Sequence, residues 1–94
     1  DISIHLDPVI TDDEQINELR KITNQIIGTI DARLSMHDFR VMRGPMMKKL
    51  MFDVVVPYDF EISDDVLKKK INSYIKIYDE NCYAVINIDR AMVR

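Results

Sequence analysis

Met36-His37-Asp38-Phe39-Arg40-Val41-Met42, then Arg43-Gly44-Pro45, then Leu50-Met51-Phe52-Asp53-Val54-Val55-Val56-Pro57 is the stretch on which the fold turns. Leu50, Phe52, Val54 and Val56 recur at every second position, with Met51, Asp53 and Val55 between them. A strand shows successive side chains to opposite faces, so this alternation predicts one buried and one open face. Upstream, His37, Phe39 and Val41 share one parity and predict a second strand. Arg43-Gly44-Pro45 breaks the pattern and Met46 to Lys48 form a short tip, so the pair reads as a β-hairpin that Pro57 closes.

The pattern changes on either side of the hairpin. Ser63-Asp64-Asp65 reads as an N-cap with an acidic first turn, and Val66, Leu67, Ile71, Tyr74, Ile75 and Tyr78 follow at helical spacing. Asp79-Glu80-Asn81 turns the chain into a last strand, Cys82 to Arg90, with Ala84, Ile86 and Ile88 on one parity. Toward the start, Ile2-Ser3-Ile4-His5-Leu6-Asp7 alternates as a strand that Pro8 ends. Thr11-Asp12-Asp13-Glu14 has the form of a capping box, and Ile16, Leu19, Ile22, Ile26, Ile27 and Ile30 predict a helix from about residue 12 to 31.

The order strand–helix–strand–strand–helix–strand is that of the α+β, ferredoxin-like βαββαβ arrangement. It predicts a four-stranded antiparallel sheet with both helices on one face and the last strand beside the first. Ninety-four residues supply one modest core, so residues 1–94 are read as a single domain.

Composition narrows the function classes. A hydrophobic fraction of 47% with 31% charged residues is that of a folded domain. The net charge of −3 argues against nucleic acid, and Lys68, Lys69 and Lys70, beside Asp64 and Asp65, read as a solvated helix face. The single cysteine, Cys82, excludes an internal disulfide and a Cys-rich zinc module. No apolar run approaches the roughly 20 residues of a membrane span. The chain opens on Asp1 within a strand-like pattern, so it is expected to be an excised piece of a longer protein with any membrane part upstream. A Gly-rich phosphate loop, a Gly-x-Ser-x-Gly elbow and a Cys/His constellation are all missing, and an enzyme is not expected.

Parity assigns Ser3, His5 and Asp7 to the open face with Met51, Asp53, Val55, Tyr83, Val85, Asn87 and Asp89. That mixture is more apolar than a solvated face requires, which points to contact with another subunit. His5 and Asp7 share a face and Asp89 comes from the neighbouring strand. One imidazole with two carboxylates suits a divalent cation, zinc first, although the trio also reads as a salt-bridged surface feature. His37-Asp38 reads either as a partly buried histidine with a turn-supporting aspartate or as a ligand pair, and Asp53 can extend either cluster.

His37-Asp38-Phe39-Arg40-Val41, Gly44-Pro45 and Phe52-Asp53-Val54-Val55-Val56-Pro57 resemble the cytoplasmic C-terminal domain of bacterial cation diffusion facilitators. That family has a His-Asp-Leu/Phe-Arg stretch opening one strand and an Ile-His-x-Asp-Pro stretch ending another, matched here by Ile4-His5-Leu6-Asp7-Pro8. Here the two motifs come in reverse order, as if the last strand of the common domain continued into an additional, similar unit. Where the second motif would recur, Asn87 stands for its His and Arg90 for its Pro, while Asp89 is kept. The resemblance implies a regulatory and dimerisation domain at the cytoplasmic face of the membrane, linked to a transmembrane part that exchanges metal for protons. It also implies a homodimer, no nucleic acid, and His5, Asp7, His37 and Asp89 as ligands for Zn2+ or another divalent transition metal. A soluble small-ligand or metal sensor is the alternative.

Overall fold

Helix α1 (Asp7–Ile30) begins at an Asp-Pro step, with Pro8 in the first turn, where a missing N–H costs no hydrogen bond. The computed structural model describes the backbone of residues 7–91 and the side chains of residues 14–90. The strand expected over residues 2–7 therefore lies almost wholly outside the described residues, and Asp7 itself is helical. The helix starts earlier than the Thr11 capping box suggests, and Thr11 falls inside it. Leu19, Thr23 and Ile27 form its buried stripe. Thr23 is tolerated there because its hydroxyl donates to the Leu19 carbonyl at 2.7 Å.

Asp31 ends α1. Its carboxylate accepts the Arg33 backbone N–H at 2.8 Å and the Arg33 guanidinium at 2.9 Å. That guanidinium and N–H hold the Asp31 carboxyl below its ordinary value. Arg33 then lies over the Phe60 ring at 5.2 Å, pinning the helix end to the loop after the hairpin.

Strands β1 (Ser35–Arg43) and β2 (Lys48–Pro57) form the expected antiparallel hairpin. At its turn the Gly44 N–H donates to the Met47 carbonyl at 2.8 Å. A side chain at Gly44 would stand 3.1 Å from that oxygen, which explains the glycine. Ser63 caps helix α2 (Asp64–Tyr78) as its spacing predicts, accepting the Val66 N–H at 3.3 Å. Leu67, Ile71 and Ile75 are its buried stripe, while Val66, Tyr74 and Tyr78 are exposed.

The sheet corrects the expected fold. It has three strands in the order β1-β2-β3, and β3 (Cys82–Ala91) pairs with β2 in parallel from Lys48↔Cys82 to Pro57↔Ala91. A four-stranded antiparallel ferredoxin-like sheet requires a further strand between these two. Among the described residues none intervenes, so the strands on either side of α2 are direct neighbours. A helical crossover returns the chain to the same end of the sheet, and such neighbours must run parallel. The described element order is helix–strand–strand–helix–strand.

A second correction concerns β1. Between His37↔Asp53 and Arg40↔Met51 the register shifts, so Asp38 and Phe39 together oppose one residue of β2. Asp38 takes a left-handed backbone, φ 60°, a conformation aspartate tolerates better than most residues. This bulge reverses the parity. His37 lies on the face opposite Phe39 and Val41, rather than sharing theirs.

The core lies between the sheet and the helices. Leu50, Phe52, Val54 and Val56 face α1 and α2 with Ala84 and Ile86, and Phe39 stacks on Phe52 at 5.9 Å. Cys82 is also buried; desolvation first, and the nearby Asp79 carboxylate second, push its thiol above the ordinary value.

Two polar side chains stitch the layers. Arg90 has the core parity of Ala84, Ile86 and Ile88, yet each of its three guanidinium nitrogens finds an oxygen. It donates to Asp64 at 3.0 Å and to the carbonyls of Phe60 at 2.9 Å and Ile62 at 2.6 Å, with longer bonds to Pro57 and Tyr58. Asn72 on α2 acts on the outer rim of β3: its amide accepts the Ala84 N–H at 2.8 Å and donates to the Ala84 carbonyl at 3.0 Å.

Candidate functional site on the open sheet face

The odd-numbered residues of β2 face away from both helices, and no described element covers them. The register arranges this face in rows across all three strands: Met42–Lys49–Tyr83, Arg40–Met51–Val85, His37–Asp53–Asn87 and Ser35–Val55–Asp89. Neighbouring strands are about 4.8 Å apart, so side chains in one row are within reach of each other.

The third row carries the metal-capable chemistry. His37 and Asp53 are cross-strand partners, and Asn87 adds an amide oxygen beyond Asp53. The bulge at Asp38 places the imidazole here, exposed rather than partly buried. The Ser35 hydroxyl lies 3.3 Å from the His37 Nε2 and orients the ring. Beside the row is a shallow hollow of about 270 Å3, walled by Arg40, Met51, Asp53, Val85 and Asn87.

Of the four residues singled out by sequence, His5 lies outside the described residues, and Asp7 opens α1, its side chain undescribed. His37 and Asp89 share the open face without sharing a row. Two strand spacings and a two-residue rise separate their backbones by about 12 Å, too far for one ion. Among the described residues no three His, Cys, Asp or Glu side chains converge as metal ligands. His37 and Asp53 supply an imidazole and a carboxylate from adjacent strands, two donors fewer than a four-coordinate zinc site needs.

Sequence reading missed the bulge and Arg90, and each had a signal. Met36, Phe39 and Val41 all pack against the core; the spacing of three and then two is what an inserted residue produces. Arg90 continues the inward parity of β3, and an arginine in such a position needs a set of acceptors.

None of the described helices is long and apolar enough to cross a membrane. Comparison with known proteins finds no matching family model, curated protein or solved structure.

Proposed function

We propose that this chain is a regulatory and dimerisation domain, without enzymatic activity, from a divalent-cation efflux transporter, and that it works at the cytoplasmic face of a membrane. The observation that carries the reading is the row His37–Asp53–Asn87, which sits on an uncovered sheet face between apolar residues of the adjoining rows. Met51 and Val55 flank Asp53, and Val85, 51% exposed, flanks Asn87. The resemblance of the His37–Val41 and Phe52–Pro57 stretches to cation diffusion facilitators supports the same assignment.

The mechanism follows from the half-set of ligands. Two copies that meet through their open faces bring two His37–Asp53 pairs together and bury Met51, Val55 and Val85 of each. A zinc-type ion held between the pairs favours the closed arrangement by its difference in affinity for closed and open forms, and by nothing else. Removal of the metal lets the copies separate or pivot. The transport step belongs to a membrane part, and this domain only biases it.

Light scattering during a zinc titration of the 94-residue chain tests the reading. The expected result is a dimer that forms or tightens with zinc and loses its metal response in His37→Ala and Asp53→Ala, with His5→Ala measured beside them. A monomer indifferent to zinc in the unaltered chain, at concentrations up to about 1 mM, overturns it.

A further inference from the structure

We propose that the hairpin tip and the adjoining lysines of α2 form a docking surface for an anionic lipid bilayer. The proposal stands on this end of the molecule alone and does not require the transporter reading.

The residues from Phe39 to Phe52 contain four of the chain's thirteen Lys and Arg, four of its six Met and none of its sixteen Asp and Glu. The turn pushes apolar side chains outward: Met46 is 78% exposed and Met42 54%. With Met47 and Tyr83 they wall a hollow of about 350 Å3 that Lys49 also borders. On the other side of Tyr83 a second hollow, about 430 Å3, is walled by Lys68, Lys69 and Lys76 with Asn72 and Ser73. Among the described residues no carboxylate lines either one. Because Tyr83 belongs to both, an apolar tip and a lysine bank form one continuous surface.

Among the described residues none of Lys49, Lys68, Lys69 and Lys76 has a carboxylate within 4.0 Å. Of the two acids the sequence sets beside this run, Asp64 is held by Arg90 at 3.0 Å, while the exposed Asp65 lies one helical turn before Lys68 and Lys69 without coming within 4.0 Å of either. The acids at this end are Asp79, 4.0 Å from Lys48, and the exposed Glu80.

The chemistry favours lipid over protein. Lysine is depleted from protein interfaces, where the planar fork of arginine is preferred. A flexible ammonium needs only a field of phosphates and carboxylates, which a headgroup layer supplies. An apolar prominence on a tight turn likewise enters the headgroup boundary of a bilayer directly, without a shaped pocket to receive it. Methionine, unbranched and adaptable, suits such a boundary.

Flotation of the 94-residue chain with vesicles of phosphatidylcholine alone, or with about one third phosphatidylserine, provides the test. Binding is expected only to the serine-containing vesicles and is expected to weaken with added salt. Each lysine near an anionic surface contributes about fivefold, so Lys68→Gln/Lys69→Gln/Lys76→Gln should weaken binding about a hundredfold. Met46→Ser/Met47→Ser should weaken it about tenfold through lost insertion. All these positions are on the surface, and circular dichroism checks that the fold is kept. Failure to bind the anionic vesicles, or binding that ignores both sets of substitutions, overturns the proposal. Equal binding to soluble polyglutamate overturns it in favour of an acidic protein partner.

Discussion

The ten residues of β2 belong to two different molecular surfaces. Leu50, Phe52, Val54 and Val56 are at most 1% exposed beneath the helices, while Met51, Asp53 and Val55, one step away on the same backbone, stay partly open. On the covered face every position is fixed by packing, and no group is left to do chemistry. The open face contributes little to folding and holds the histidine, the carboxylates and the apolar residues that a partner could use. Stability and the proposed function are therefore divided by parity and can be altered separately.

The largest effect should separate the two faces outright. Phe52→Ala removes a fully buried ring that stacks on Phe39 and should cost about 4 kcal/mol in a urea melt. Val85→Ala on the open face should stay within about 0.5 kcal/mol. Similar losses at the two sites would mean that the open face is not free in the monomer.

Arg90→Ala should come next, at about 3 kcal/mol, because it strands the carbonyls of Phe60 and Ile62 and releases Asp64. Arg90→Lys should recover less than half of that loss, since an ammonium cannot span acceptors on several sides. Full recovery by lysine would reduce the clamp to a simple ion pair.

The smallest effect sharpens the comparison most. Asp38→Val should cost about 1.5 kcal/mol, since a branched residue resists the left-handed backbone, whereas Asp38→Gly should be neutral or slightly stabilising. Deleting Asp38 should remove the bulge yet leave His37 opposite Asp53 on the open face, so the zinc response in light scattering should be kept. A deletion variant that loses its response would tie metal binding to the bulge itself rather than to the His37–Asp53 row.

These positions also show what could be read from sequence. The hairpin, the Ser63 cap and the last strand follow from local periodicity, because strand alternation and helix capping are decided within a few residues. Strand order is not local. The pattern Leu50-Phe52-Val54-Val56 shows that β2 is covered on one side but not which strand lies beside it, and the parallel pairing with Cys82–Ala91 depends on what else competes for that edge. On the open face, the histidine and the carboxylates could be named from alternation alone. Their neighbours could not, because a one-residue bulge changes which side chain faces which row. Asp53 opposite His37 is the result.

The contact between Asn72 and Ala84 bears on the chain's life in a crowded solution. A strand at the border of a sheet offers its backbone donors and acceptors as a template, and other chains can extend it without limit. At Ala84 both groups are already taken by a helix side chain, so a copying strand would have to displace an amide that imitates it. Growth at that position is stopped from within the fold. A strand adding beside β3 would therefore have to break its register at Ala84 or displace Asn72.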